Sequence, residues 1–172
     1  MGYYNMNVRK IAFIAIFSAT ALIISLFENL LPPILPILPF AKVGISHIII
    51  LAAIIMLGKG EAMIVFAVRT VFAAIFSGNP TMLLYSLPAG LVSLLIMILL
   101  LKSGKFGLPA ISAASGSMHN LVQICIAALI TRSAAVFAYL PYLMTFGAIA
   151  GIVTGIVCCA LIKKLPSKIF DY

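Results

Sequence analysis

Acidic residues are nearly missing from this chain. Among 172 residues only Glu28, Glu61 and Asp171 carry a side-chain carboxylate, against eleven lysines and arginines, and charged residues of both signs make up 8%. Three carboxylates so far apart cannot assemble the aspartate cluster that holds divalent metal against a diphosphate. None lies inside an apolar run, so the usual carboxylate relay of a proton- or sodium-driven carrier is absent too. There is no Gly-rich lysine loop for ATP, which excludes uptake driven by the chain's own nucleotide hydrolysis. No thiol or hydroxyl sits beside an obvious base in the sequence, which argues against nucleophilic catalysis. The three cysteines, Cys125, Cys158 and Cys159, show neither metal spacing nor a disulfide pattern and read as small, inert residues. No catalytic residue, metal site or cofactor is expected.

What remains is overwhelmingly apolar: 65% of the residues are hydrophobic and the mean hydropathy is +1.29. Water-soluble domains do not have this composition. Apolar runs long enough for a hydrocarbon core of about 30 Å recur with short connectors. They predict one all-α integral membrane domain with six transmembrane helices, over residues 11–27, 40–57, 61–76, 82–101, 108–130 and 138–162. The intervening "ENLLPPILPILP", "GKGE", "SGNP", "KSGKFG" and "TRSAA" are turn or breaker clusters. Pro88, inside the fourth run, is expected to kink that helix or to mark a later start.

Basic residues predict the orientation. Arg9, Lys10, Lys59, Lys102, Lys105, Lys163, Lys164 and Lys168 fall on one side, and only Lys42 and Arg132 on the other. Both termini are therefore expected in the cytoplasm, in a multi-pass protein of the cell membrane. The net charge of +8 follows from this topology and from attraction to anionic lipid, so no nucleic-acid partner is needed. The first span follows two basic residues but lacks a small-residue cleavage site after it, and is expected to be retained. Met6 stands where a myristoylation signal needs Ser or Thr.

Inside this apolar chain a few polar groups stand out. The run "SGSMHNLVQICIAAL" (115–129) places His119 and Gln123 four apart and Asn120 and Gln123 three apart, with Ser112, Ser115 and Gly116 continuing the side. Such a stripe must face protein or a cavity. It can serve as interhelical glue, at about 0.6 to 2 kcal/mol per bond, or as part of a ligand site, and the second reading is preferred here. Arg69, in "VFAVRTVFAAIFS", gives the reason, since a lone cation at mid-bilayer costs at least about 2.5 kcal/mol. Its partner is Glu28, backbone carbonyls or an anionic ligand. At about 1.5 Å per residue from the cytoplasmic edge, Arg69 lies near 12 Å and His119 and Gln123 near 17 and 22 Å, depths that allow one shared site open to the outer face. Lys42 could add a second positive charge, with Ser77 and Asn79 on the same side. A bis-histidine haem is disfavoured because His47 lies nearer the outer face than His119.

Two patterns of small residues concern helix approach. "GAIAGIVTG" puts Gly147, Gly151 and Gly155 on one face of the last helix, expected to pack internally. Ala15 and Ala19 form a small pair on the first helix, open to a partner.

The stretch "KVGISHIIILAAIIMLGKGEAMIVFAVRTVFAAIFSG", then "GSMHNLVQ" and the Gly-rich last helix, resembles the family named both Gx transporter and heptaprenyl diphosphate synthase component I, over roughly residues 10–163. The matching features are Lys42 and Gly44, Arg69, Ser77 and Gly78, and His119, Asn120 and Gln123. The family pattern has asparagine where His47 stands. That family in turn resembles the substrate-binding (S) components of energy-coupling-factor transporters. The resemblance implies an S-component-like bundle in a bacterial cytoplasmic membrane, with an outward-facing pocket and an Ala-x-x-x-Ala face, here Ala15 and Ala19, that meets a membrane coupling protein. As a transport component the protein would capture a small anionic or electron-rich ligand with Lys42, Arg69, Ser77, Asn79, His119, Asn120 and Gln123, energised by a partner. As a prenyl-synthase component it would hold an isoprenoid or assist a soluble catalytic subunit. A membrane subunit of a flavin- or quinone-linked redox system is the third implied role.

Overall fold

A computed structural model describes residues 8–30 and 44–164. It is all-α: α1 (Val8–Leu30), α2 (His47–Met56), α3 (Lys59–Phe76), α4 (Thr81–Ser103), α5 (Leu108–Thr131), a 3-10 helix (Ala134–Tyr139) and α6 (Leu140–Lys164). Four of these are long and apolar enough to cross a membrane: α1, α4, α5, and α6 with the 3-10 helix before it.

The other two helices are different. The run at 40–57 yields a helix of only ten residues, His47–Met56, about 15 Å long and half of a hydrocarbon core; residues 40–43 lie outside the described residues. After His47 its residues are apolar all round, a pattern shared by core helices and membrane spans, and burial tells which it is. Ile48, Ile50, Leu51, Ala52, Ala53 and Ile54 are all buried. Helix α3 has eighteen residues but carries Lys59, Glu61 and Arg69. Helix α4 begins at Thr81 and runs through Pro88, so that proline does not mark its start.

The helices are arranged around α2. Helix α1 packs on α3, α3 on α4, α4 on α5 and α5 on α6, while α2 touches α1, α3, α4 and α6. Helix α1 turns Ile14, Ser18, Ala21, Ser25 and Glu28 inward, three or four residues apart, and leaves Ile16, Ile23 and Phe27 exposed. Comparable apolar exposure on α3, α4 and α6 makes an outer surface suited to lipid.

Two local features hold the bundle at its basic end and along one seam. At the basic end, Lys10 Nζ lies 2.6 Å from a Glu61 carboxylate oxygen and ties the start of α1 to the start of α3. The tight α2–α3 corner passes through Gly58 at φ +112°, where a side chain would also meet the Glu61 carboxylate. The seam is the α5–α6 interface, the most extensive in the bundle, where backbones meet directly. A methyl group on Gly147 would lie 2.6 Å from Asn120 Nδ2, one on Gly151 2.5 Å from Ala113 Cα, and one on Gly155 2.5 Å from Pro109 Cα.

Candidate functional site

At the N-terminal end of α2, in the half of the bundle away from the Lys10–Glu61 pair, lies a cavity. Five helices line it: Ser25, Glu28 and Asn29 from α1, His47 from α2 with Gly44 just before it, Arg69, Thr70, Ala73 and Ala74 from α3, Met82, Tyr85 and Ser86 from α4, and His119 and Gln123 from α5. Three of the residues singled out by sequence, Arg69, His119 and Gln123, therefore come together here.

The state of Arg69 depends on what Glu28 does. Glu28 is buried, and its carboxylate accepts hydrogen bonds from the Ile45 N–H at 2.6 Å, the Ser46 N–H at 3.4 Å and the Ser46 hydroxyl at 3.0 Å. The acid thus sits on the N–H groups that lead into α2, where a negative charge is favoured by the helix dipole. Arg69 feels its charge but forms no ion pair with it. Lys10 with Glu61 is the one salt bridge among the described residues. Arg69 Nε is buried with no hydrogen-bond partner among the described residues, and so is the hydroxyl of its neighbour Thr70. A guanidinium whose Nε is buried and unmatched, with the nearby carboxylate hydrogen-bonded elsewhere, is matched in shape and charge to a carboxylate or phosphate.

On the opposite wall the rings of His47 and His119 meet edge to face, with centroids 4.8 Å apart and an interplanar angle of 84°. A second, smaller cavity lies against the same pair, between α2, α5 and α6.

The remaining sequence candidates lie elsewhere. Asn120 is buried and donates through Nδ2 to the Leu143 carbonyl of α6 at 2.7 Å, lining only the smaller cavity. The Ser77 hydroxyl donates to the Ala74 carbonyl at 3.1 Å and contacts Met82 Sδ, and Asn79 accepts from the Thr81 hydroxyl; neither residue lines the large cavity. Lys42 lies outside the described residues. Ala15 and Ala19 are exposed on α1.

Sequence reasoning passed over Ser25, Asn29, Thr70, Tyr85 and Ser86. A signal existed for part of this set, because Ser18, Ser25 and Glu28 repeat at helical spacing in α1 as the polar groups of α5 do. Among the described residues no three His, Cys, Asp or Glu side chains are grouped to hold a metal ion. The described lining of the cavity offers hydrogen-bonding side chains and the positive charge of Arg69.

The sequence matches the family model described as heptaprenyl diphosphate synthase component I over residues 17–161. No curated protein and no solved structure matches it. With most of its length covered by that match, and with its apolar helical bundle, the chain belongs to the heptaprenyl diphosphate synthase component I family.

Proposed function

We propose that this protein is a multi-pass membrane component that captures a small hydrophilic anion in the Arg69 cavity and relies on a partner for energy or for chemistry. The observation that carries the reading is the Arg69 guanidinium, its Nε buried and unmatched while the nearby Glu28 carboxylate is committed to Ile45 and Ser46. An oxyanion would take the hydrogen bonds and charge that Arg69 offers, with Thr70 beside it and His119 and Gln123 setting orientation from α5. Among the fourteen described residues of the wall only Gly44, Ala73, Ala74 and Met82 lack a hydrogen-bonding side chain, which suits a water-soluble ligand. Ser77, Asn79 and Asn120 would then serve around the site rather than in this wall, with Lys42 as its second positive charge.

The family description favours a second reading, in which the oxyanion is the diphosphate of an isoprenoid substrate held for a catalytic subunit of heptaprenyl diphosphate synthase. The Arg69 guanidinium suits the diphosphate head in that case. The chain's own carboxylates cannot supply the metal site for elongation. Ala15 and Ala19, exposed on α1, would be the face toward a membrane partner in either case.

Mass spectrometry of small molecules that co-purify with the detergent-solubilised protein tests both readings. Arg69→Met and Gln123→Leu keep bulk and remove polar capacity; both are expected to lose the co-purified anion while the melting temperature changes little. Retained anion with a markedly lower melting temperature would show that these residues are scaffold. A prenyl diphosphate in the extract selects the second reading, and a compact hydrophilic anion the first.

The proposal also needs the cavity to face outward, with the basic connectors in the cytoplasm. A cysteine at Ser103, the exposed last residue of α4, is expected to resist a membrane-impermeant thiol reagent in intact cells and to react once the membrane is opened. Labelling in intact cells would invert the topology.

A further inference from the structure

Next to Arg69 stands a second polar group that the protein leaves unsatisfied. Thr70 is 5% exposed and lines the large cavity, and its hydroxyl has no hydrogen-bond partner among the described residues. Other helical hydroxyls of this chain turn back onto their own helix: Thr20, Ser86, Thr131 and Thr145 each donate to the carbonyl four residues before them. Thr70, in the middle of α3, has the same option and leaves it unused. A buried hydroxyl without a partner is costly, so a group entering the cavity is expected to pair it. Which group follows from what the wall can give and what it can only take. An oxyanion only accepts hydrogen bonds, so it answers Arg69 but not the acceptors around it. Acceptors are present. The Ser86 hydroxyl spends its proton on the Met82 carbonyl at 2.7 Å, and toward the cavity it therefore offers lone pairs. The Glu28 carboxylate in the same wall can only accept, and the Gln123 amide offers one group of each kind. Thr70 can both give and take. A hydroxyl on the ligand does both as well, whereas an ammonium group only gives.

We infer that the captured molecule is a hydroxylated anion, of the hydroxy acid or polyol phosphate class, and that Thr70 is the residue that selects for its hydroxyl. The inference rests on the proposed capture of an anion at Arg69 and narrows the class of that anion. Arg69 holds the charge, and Thr70 distinguishes a hydroxylated molecule from one of the same charge and shape without the hydroxyl. A site that pairs a ligand hydroxyl rejects the analogue lacking it, because its own buried polar group is then left alone.

Titration calorimetry with matched anions tests this on the purified full-length protein in detergent, stripped of co-purified molecules. Propionate, lactate and alanine differ in one group on one carbon, a hydrogen, a hydroxyl or an ammonium; propyl phosphate and glycerol phosphate make the hydrogen-to-hydroxyl comparison for a phosphate. We expect the hydroxylated member of at least one series to bind at least about fivefold more tightly than its unhydroxylated match. That preference should fall to about one in Thr70→Val and return in Thr70→Ser. Empty Thr70→Val protein is expected to melt no lower than wild type, since it loses a buried hydroxyl that has no partner; a lower melting temperature would mean that the hydroxyl serves the fold. Thr70→Ala removes the same group should the valine variant fail to fold. Equal binding with and without the hydroxyl in both series refutes the inference and leaves the anion site standing. A preference that survives Thr70→Val refutes the role of Thr70, and alanine binding more tightly than lactate puts an ammonium group in the hydroxyl's place. If no member of either series binds, or if binding is undiminished in Arg69→Met, the capture of an anion at Arg69 fails and the hydroxyl with it.

Discussion

Glu28→Ala is expected to destabilise the folded bundle by about 3 kcal/mol or more, with or without a ligand, because it strips the acceptor from two backbone N–H groups and the Ser46 hydroxyl at once. Ser46 is fully enclosed, so water cannot readily take the place of the lost carboxylate. Glu28→Gln keeps one carbonyl oxygen and should lose less, which sets the order alanine, glutamine, wild type in denaturant unfolding followed in mild detergent. A double-mutant cycle separates this role from charge pairing. If Glu28 caps α2, Glu28→Gln and Arg69→Met should add to within about 0.5 kcal/mol. If Glu28 were instead the counter-ion of Arg69, the double variant would recover much of what either single change costs, since it leaves no buried charge alone.

The second large effect is expected from a single methyl group. Gly151→Ala should cost about 1 to 3 kcal/mol, because the new carbon would lie 2.5 Å from both Ala113 Cα and the Ser112 carbonyl oxygen, backbone atoms that no rotamer change can move. Relief requires α5 and α6 to separate, which also strains the Ser112–Thr154 hydroxyl contact at 2.8 Å and the Asn120 bond to Leu143 at 2.7 Å. Gly60→Ala is the matched control: nothing lies within 4 Å of the added carbon, and in a helix alanine is favoured over glycine by about 0.5 to 1 kcal/mol. Melting temperatures of the two variants in one detergent should move in opposite directions. Equal behaviour would mean that the seam is looser than its geometry.

These two positions differ in how visible they are from sequence. The glycine seam shows in "GAIAGIVTG" because the four-residue spacing is local and helical. So does the trouble caused by Arg69, since a cation in an apolar run is conspicuous at any depth. The role of Glu28 is not visible in this way: its hydrogen-bond partners lie seventeen and eighteen residues downstream, across a connection that helical periodicity does not describe. Asn120 misleads for a geometric reason. Its neighbour His119 faces the large cavity, but one residue along a helix turns about 100°, and that step carries Asn120 to the α6 carbonyl. Helix α2 was legible as apolar but not as short, because an unbroken hydrophobic run reads alike whether lipid or protein surrounds it. The five-helix composition of the large cavity was beyond reach, since Tyr85 and Ser86 become informative only once α4 is set beside α1 and α3.

The short α2 behaves like a plug seated partway up a sleeve. The surrounding helices must keep lengths suited to the bilayer, but a core helix enclosed by protein has no such obligation. One more turn at its His47 end would advance the plug by about 5.4 Å, and one turn fewer would withdraw it by as much, with the lipid-facing wall untouched. Pocket depth is thereby set independently of membrane thickness. An insertion or deletion confined to this one element would therefore change the depth of the cavity and leave Arg69, on α3, in place.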